Sequence, residues 1–332
     1  MRVRYQPQLA TLVAQAPDGD EWLHEIKFDG YRIGCVVRAG RATLHSRNGK
    51  DWTERFAPVA EAAAALPVKS ALLDGEVAVL LPDGKTSFQA LQNSLVARGD
   101  SPLVYFAFDL HELDGADLRA RPLEARKEAL RALLRPKPAR KGGSLPTVRY
   151  SDHVVGQGPR VFAEACRTGL EGIIAKRRSD PHRDGRTTGW LKVKCVARQE
   201  MVIAGFTEPE GSRTGIGALL LGVYEGERLV YAGKVGTGFT QAMLVSLRSR
   251  LDPLVRKTCP FQPPPETRLV GKRTHWVEPT LVAEVAFIEW TSDGRIRHPS
   301  FQGLRADKDP RDVRREEPQR EPAKAPGSRR RK

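Results

Sequence analysis

Charged residues stand at alternate positions in the segment EIKFDGYR, residues 25–32. In a β-strand, alternate side chains point to the same face of the sheet. Glu25, Lys27 and Asp29 would therefore share one face, with apolar side chains opposite them. A lysine amine on such a face can serve as a nucleophile that forms a covalent intermediate. A solvent-exposed strand can carry the same pattern, so this segment alone leaves both interpretations open.

A second lysine-rich strand is predicted in WLKVK, residues 190–194. Lys192 and Lys194 share one face of this strand, and Leu191 and Val193 share the other. Two neighbouring ammonium groups repel each other unless an anion lies between them. The pattern therefore favours a phosphate-binding surface, and a solvated edge strand is the alternative.

Carboxylates and further cations occur in three other short motifs. DGE (74–76) and EG (171–172) supply carboxylates that could hold a ribose or a divalent metal ion. Arg305 and Lys308 belong to a charged cluster in GLRADKDP, near the end of the chain. Taken alone, that cluster is more typical of a solvated terminus.

Seven motifs in one order resemble those of the covalent nucleotidyltransferases, the superfamily of ATP-dependent DNA ligases, RNA ligases and mRNA capping enzymes. They are KFDGYR (27–32), SRNG (46–49), LDGEV (73–77), YFAFDL (105–110), EGIIAK (171–176), WLKVK (190–194) and RADK (305–308). GKVGTGF (233–239) and FQGLRADKDP (301–310) are most similar to the ligase domain of bacterial end-joining ligases that work with Ku. The resemblance indicates an ATP-dependent DNA ligase.

The resemblance implies a three-step reaction. Lys27 attacks the α-phosphate of ATP and becomes linked to AMP, AMP moves to the 5′-phosphate of a nick, and the 3′-hydroxyl then displaces AMP. Lys192 and Lys194 are expected to hold the α-phosphate and its developing charge. Neighbouring cations, among them Arg32 and Arg47, are expected to lower the pKa of Lys27 before ATP binds.

Other site residues are assigned by the same resemblance. The residues expected to bind ATP are Glu25, Lys27, Arg32, Arg47, Glu76, Phe108, Lys176, Lys192, Lys194, Arg305 and Lys308. Phe108 is expected to stack on adenine, with Phe106 as the alternative. Glu171, and after it Asp29, would hold Mg²⁺ or Mn²⁺. Arg305 and Lys308 would reach the pyrophosphate when the C-terminal domain closes.

The elements that position these residues predict an α+β fold. Residues 1–198 would form an adenylyltransferase domain with antiparallel sheets and helices. Short strands around one helix in residues 199–312 predict an OB-fold β-barrel. Residues 313–332 contain three prolines and almost no apolar residues, so we expect a disordered basic tail.

The composition favours a polyanionic partner. Fifty-five Lys and Arg residues against 40 Asp and Glu residues give a net charge of +15 over 332 residues. The tail accounts for +5 of this, so the body is basic without it. The expected partner is nicked double-stranded DNA, with Ku or other end-joining proteins as candidates, and the chain is expected to be a monomer.

Several classes are excluded or disfavoured. No run of eighteen apolar residues exists, and the four cysteines show neither a CxxC pair nor zinc-type spacing with histidine. A reducing, nucleoid-associated cytoplasmic location is therefore expected. The resemblance also bears on the cofactor, because NAD-dependent ligases have a nicotinamide-binding segment before the lysine and a four-cysteine zinc site after it. Only 26 residues precede Lys27 and no such cysteine cluster occurs, so ATP is expected rather than NAD. An RNA ligase, a capping enzyme, a noncatalytic nucleic-acid-binding relative and a subunit of a larger repair assembly remain alternatives.

Overall fold

Three β-sheets carry most of the secondary structure, and α-helices pack around them. The computed structural model describes residues 5–97, 102–135, 146–211, 214–271 and 273–318. The strands are β1 Gln8–Leu12, β2 Trp22–Ile26, β3 Tyr31–Arg38, β4 Arg41–Ser46, β5 Ser70–Val79, β6 Leu103–Leu113, β7 Ala116–Asp117, β8 Val148–Tyr150, β9 His153–Val155, β10 Gly172–Arg177, β11 Gly185–Lys194, β12 Ala197–Thr207, β13 Leu219–Glu225, β14 Arg228–Val235, β15 Val255–Arg256, β16 Thr274–Phe287 and β17 Ser300–Leu304. The helices are α1 Ala57–Ala64, α2 Phe88–Ala97, α3 Leu123–Leu133, α4 Gly158–Arg167, α5 Gln241–Leu251 and α6 Thr267–Val270. The predicted α+β fold class is confirmed.

The first sheet brings three of the predicted motifs side by side. Its strand order is β1-β11-β10-β2-β9. Within it, Ile174 of β10 pairs with Glu25 on one side and with Lys192 on the other. Gly172 pairs with Lys194, and its carbonyl accepts a hydrogen bond from the backbone N–H of Lys27. Residues in register share a face, so this pairing gathers the charged side chains of β2 and β11 on one surface.

Gly172 is needed at the centre of this arrangement. Its φ is +148°, and a Cβ there would lie 2.0 Å from the carbonyl oxygen of Val193. Only glycine tolerates this conformation and this approach of a neighbouring backbone. The glycine therefore lets the strand that follows Glu171 pair closely with β11.

The second sheet places one residue from each of three motifs in one row. Its order is β4-β3-β5-β6-β7, with β8 also paired to β6. Arg32 of β3 lies opposite Glu76 of β5, and Glu76 lies opposite Phe106 of β6. On the other side of this sheet, apolar residues of β3 and β5 form a core with α1, including Ile33 and Phe56. One face therefore packs and the other carries the polar row.

The third sheet has the order β14-β13-β12-β16-β15, with β17 also paired to β16, and all of its pairs are antiparallel. Its inner face packs against α5, whose N-terminus is capped by the Thr240 hydroxyl. Over the residues described, these pairings leave the sheet open, so it is OB-like without full closure. β11 ends at Lys194 in the first sheet, and β12 begins at Ala197 in the third.

Three local expectations differ from the structure. The pairs β1–β11 and β6–β8 are parallel, so the sheets of the N-terminal part are mixed rather than purely antiparallel. Residues 313–318 of the predicted disordered tail are ordered against the body, while 319–332 lie outside the described residues. Cys166 and Cys195 form a disulfide that joins the end of α4 to the end of β11. The two cysteines are 29 residues apart in the sequence, so no short cysteine spacing predicts this bond.

Val313 anchors the start of the tail. It is only 4% exposed, and its carbonyl accepts a hydrogen bond from the N–H of Tyr224 at 2.8 Å. The side chain of Gln199 donates to the carbonyl of Arg314 and accepts from the N–H of Glu316, both at 2.9 Å. A buried apolar residue and three hydrogen bonds thus hold residues 313–316 in place.

We predict that truncation after residue 312 destabilises the chain, whereas truncation after residue 318 does not. The shorter chain loses the buried Val313 side chain and its hydrogen bonds, a loss of about 2 kcal/mol. Differential scanning calorimetry of both truncated chains and the full chain measures the effect. Equal melting temperatures for the two truncations would show that residues 313–318 contribute nothing to the fold.

Candidate active site

The predicted nucleophile Lys27 lies just beyond the end of β2, with 23% of its side chain exposed. Its ammonium group forms an ion pair with the carboxylate of Glu171. Burial alone would lower the pKa of Lys27, but Glu171, Glu284 and Glu76 outweigh it and raise this pKa above the ordinary value. The expectation that neighbouring cations lower the pKa is therefore wrong for this arrangement, because the charges that act most strongly on this amine are carboxylates.

A group of carboxylates surrounds this ion pair. Arg198 Nη1 lies 2.9 Å from Asp29 Oδ2 and 3.9 Å from Glu171 Oε2, and Arg198 Nε lies 4.0 Å from Glu284 Oε1. Burial, Glu171 and Glu284 raise the pKa of Asp29, while Arg198 opposes them. The predicted metal-binding pair Asp29 and Glu171 is thus brought together, with Glu284 beside it. Arg198 and Glu284 belong to the third sheet, and no motif in the sequence singled them out.

The two lysines of β11 are bridged by a carboxylate from the end of the chain. Glu316 Oε1 lies 2.6 Å from Lys192 Nζ, and Glu316 Oε2 lies 3.0 Å from Lys194 Nζ. Burial and the neighbouring Lys194 lower the pKa of Lys192 to about 8. Burial would raise the pKa of Glu316, but Lys194 and Lys192 lower it to about 2. The anion that the paired lysines require is present, and Glu316 supplies it.

Glu25 and Lys176 are held together in the first sheet, and both are almost fully buried. Glu25 accepts hydrogen bonds from Lys176 at 2.9 Å, from Lys127 at 2.7 Å and from the Ser151 hydroxyl at 2.9 Å. Burial lowers the pKa of Lys176 to about 8 although Glu25 opposes the shift. Lys127 lies on α3 and was not predicted, because its position in an amphipathic helix is that of an ordinary surface lysine.

Arg32 and Phe108 face the first sheet from the second. Arg32 forms a two-point ion pair with Asp74, with both N–O distances at 2.6 Å. Its guanidinium carbon lies 4.6 Å from the centre of the Phe108 ring, and Lys176 Nζ lies 4.2 Å from the same centre. Phe106 instead stacks on Phe28, with ring centres 4.1 Å apart. Phe108 is therefore the aromatic ring of this strand that lies among the cations.

The C-terminal motif lies against the second sheet. The hydroxyl of Tyr31 donates to the carbonyl of Leu304 at 3.1 Å, and Lys50 Nζ donates to the carbonyl of Ala306 at 3.2 Å. Arg305 is paired with Asp307 at 2.8 Å and with Glu284 at 2.7 Å. These contacts hold the C-terminal motif, which follows the third sheet, against the residues of the site.

Lys308 and Arg47 lie toward the end of the site where Glu316 is found. Lys308 is paired with Glu200 at 2.7 Å. Arg47, Lys308 and Glu316 line one cavity of about 310 Å³. Two of the predicted phosphate-contacting cations, from distant motifs, therefore meet at one opening.

Two protein-family models match most of the sequence. The family model described as ATP dependent DNA ligase domain matches residues 7–194, and the family model described as ATP dependent DNA ligase C terminal region matches residues 212–308. The chain belongs to the family of ATP-dependent DNA ligases, whose members use ATP. The expected family, fold and enzyme class are thereby confirmed.

The most similar relatives include longer bacterial proteins. Multifunctional non-homologous end joining protein LigD of Pseudomonas aeruginosa is 44% identical over 315 residues, covering 94% of this chain and 36% of that protein. The Mycobacterium tuberculosis protein LigD is 38% identical over 314 residues, covering 93% of this chain and 40% of that protein. The chain therefore spans less than half the length of these relatives.

Two solved structures resemble the whole described fold. A mycobacterial DNA ligase D complexed with ATP and MES has a TM-score of 0.69 and 35% identity, covering 94% of this chain and 98% of that chain. The ligase domain of M. tuberculosis LigD has a TM-score of 0.51 at the same identity and coverage.

None of the helices in the described ranges combines the length and the apolar character that crossing a membrane requires.

Glu76 makes stability depend on pH. Burial raises the pKa of Glu76 to about 7, against the opposing effects of Lys27 and Arg32. Because the folded-state pKa exceeds the unfolded one, this carboxyl group favours the folded state at low pH, and that contribution is lost as pH rises from about 4.5 through 7. The cost of ionising it amounts to at most about 3 kcal/mol.

We predict that Glu76→Gln removes this dependence. The free energy of unfolding of the variant minus that of the native chain should increase between pH 5 and pH 8, because only the native chain must ionise a buried group. Urea denaturation at a series of pH values measures the difference. A difference that stays constant across this range would contradict a raised pKa for Glu76.

Proposed function

We propose that the chain is the ATP-dependent ligase that seals 5′-phosphate/3′-hydroxyl nicks in DNA through an AMP linked to Lys27. The observation that carries the proposal is the position of Lys27. It lies beside the carboxylates of Glu171 and Asp29 and next to the β11 lysines in the same sheet. A nucleophilic amine, oxygen donors for a cation and two phosphate-binding ammonium groups are what transfer of a nucleotidyl group requires.

In the first step, the neutral amine of Lys27 attacks the α-phosphorus of ATP. A phosphorus–nitrogen bond forms, the bond to pyrophosphate breaks, and the amine proton passes to a base or to solvent. Since Glu171 raises the pKa of Lys27, this ion pair must loosen before the amine can react. The lysyl-AMP then transfers AMP to the 5′-phosphate, and attack by the 3′-hydroxyl releases AMP.

The donor set beside Lys27 fits a divalent cation such as Mg²⁺ or Mn²⁺. Glu171 and Asp29 offer carboxylate oxygens, the ligands that these hard cations prefer, and burial together with the neighbouring charge of Glu171 raises the pKa of Asp29. When bound, the cation would supply positive charge beside the triphosphate. Glu171 would then have less negative charge to offer Lys27, which favours the neutral amine.

The base and sugar would occupy the space between the first two sheets. Phe108 is the proposed stacking partner for adenine, and Arg32 and Glu76 are the proposed ribose contacts. In the described arrangement, Lys176 lies over the Phe108 ring, so stacking of a purine there requires this ammonium group to move aside. Arg47, Arg305 and Lys308 are proposed to contact the outer phosphates, and they approach from the second and third sheets.

The proposed polymer substrate is nicked duplex DNA. A chain with a net charge of +15 should bind it with an affinity that falls steeply as salt increases. Sealing rates on matched DNA and RNA nicks distinguish a DNA ligase from an RNA ligase. The names of the relatives associate them with non-homologous end joining, which makes Ku a proposed partner, to be tested by pull-down with purified Ku.

We predict that α-labelled ATP and a divalent cation label the chain covalently through an acid-labile, base-resistant phosphoramide. Lys27→Ala should abolish the label, since among the described lysines Lys27 is the one whose amine forms an ion pair with Glu171. The matched control Lys69→Ala changes an exposed lysine of the same chain and should leave labelling intact. Denaturing electrophoresis reports both, and full labelling of Lys27→Ala would remove the basis of the proposal.

We predict that Glu316→Gln lowers the KM for ATP in the first step by about fivefold. The triphosphate must replace the Glu316 carboxylate on Lys192 and Lys194, and a partly exposed ion pair contributes about 1 kcal/mol. Rapid-quench kinetics with labelled ATP measure this, and Glu317→Gln is the control because Glu317 is 70% exposed and paired elsewhere. Weaker use of ATP by Glu316→Gln would show instead that Glu316 positions the lysines for catalysis.

A further inference from the structure

Two histidines and a carboxylate form a cluster next to the Arg32–Asp74 ion pair. Asp109 and His111 come from β6, and His182 comes from the segment between β10 and β11. Their donor atoms all lie within 4.8 Å of one another, and the two imidazole rings have centres 4.1 Å apart. Both histidine side chains are only 2% exposed. The cluster therefore joins the first and second sheets in a nearly dry environment.

One nitrogen of each ring lies buried without a hydrogen bond. Over the part of the chain that is described, neither His111 Nε2 nor His182 Nδ1 makes a hydrogen bond of normal geometry, although Asp109 Oδ2 lies 3.5 Å from His111 Nε2. Burying such a nitrogen without a partner costs free energy, so native proteins rarely leave one without a reason. Two in one cluster indicate that a further group completes the bonding.

The tautomer of His182 is determined by two hydrogen-bond acceptors that lie outside the cluster. Its Nε2 lies 3.1 Å from the carbonyl oxygen of Gln6 and 3.1 Å from Asp184 Oδ1, and both of these are acceptors. Nε2 therefore carries the proton, and Nδ1 presents a lone pair to the cluster. A histidine that donates its second N–H to a carboxylate or carbonyl is the usual arrangement of a metal ligand.

The carboxylates complete a suitable set of donors. Asp109 Oδ2 accepts one hydrogen bond within the described ranges, from Arg126 at 2.9 Å, and lies 3.5 Å from His111 Nε2. Donors about 2.0–2.1 Å from a tetrahedral zinc ion lie about 3.4 Å apart, so this spacing fits. Asp74 Oδ2 is 3.8 Å from the same nitrogen. Around the cluster, the four carboxylates of Asp74, Asp109, Asp117 and Asp184 outnumber the three guanidinium groups of Arg32, Arg119 and Arg126, which leaves negative charge for a cation.

We propose that this cluster binds a divalent transition-metal ion of the zinc class through His111 Nε2, His182 Nδ1 and Asp109 Oδ2, with Asp74 or water as the fourth ligand. The site is separate from the carboxylates beside Lys27, whose oxygen donors suit Mg²⁺ or Mn²⁺. Its role is structural. It fastens β6, which carries Phe108, to the segment that leads into β11, so it holds together the two sheets of the candidate active site.

The first experiment uses the full chain, stripped of metal with a chelator and titrated with Co²⁺. One equivalent should bind and produce the visible absorption of a tetrahedral site with nitrogen and oxygen ligands. Zn²⁺ should displace it and raise the melting temperature. His182→Gln should abolish the spectrum, and the control His45→Gln, which changes a histidine outside the cluster, should retain it. Absence of a stoichiometric tetrahedral spectrum in the native chain would overturn the proposal.

Two further variants separate metal binding from ordinary packing. Asp184 is 52% exposed, so Asp184→Asn should leave the fold intact while weakening Co²⁺ binding by about 10- to 100-fold through loss of the outer carboxylate. Glu171→Gln should leave the Co²⁺ spectrum unchanged, because that residue belongs to the other proposed metal site. An unchanged Co²⁺ affinity in Asp184→Asn, or loss of the spectrum in Glu171→Gln, would place the bound metal elsewhere and reject the site.

Discussion

A buried ammonium group costs many kcal/mol unless an anion lies against it or the amine loses its proton. The candidate active site follows this constraint throughout. Lys27 lies against Glu171, Lys176 against Glu25, and the pair Lys192 and Lys194 against Glu316. If a triphosphate binds at this site as proposed, it must replace these carboxylates on the lysines rather than bind to free cations. Each carboxylate that leaves offsets part of the electrostatic gain from the incoming phosphates.

The same constraint explains how the third sheet is held over the other two. Arg198 of β12 reaches Asp29 and Glu171 of the N-terminal part, and Glu284 of β16 contributes to the pKa of Lys27. These ion pairs link the third sheet to the segments that carry Asp29 and Glu171, so the position of the third sheet depends on the charge state of the site. A change in the charge beside Lys27 would alter the contacts that keep the C-terminal motif in place.

Backbone geometry supplies the rigidity that this exchange of charges requires. β10 pairs with β2 and β11 along its length, and Gly172 lets the strands approach where Glu171 and Lys194 meet. The Cys166–Cys195 disulfide reinforces the same corner, since the N–H of Cys195 donates to the carbonyl of Glu171 at 3.0 Å. Backbone pairing, the close approach at Gly172 and the disulfide therefore hold the strands that carry the proposed site residues in fixed positions.

Local periodicity was enough to predict which side chains share a face. The alternation in residues 25–32 and 190–194 placed Glu25 with Lys27 and Lys192 with Lys194, and the motif order indicated the family. Periodicity could not predict contacts between residues that are far apart in the chain. Arg198, Lys127, Glu316 and the His111–His182 pair depend on strand order and on the path of the connecting segments, which leave no periodic signal. The pKa of Lys27 is an example. It is raised rather than lowered, because of carboxylates that only the tertiary structure brings near this lysine.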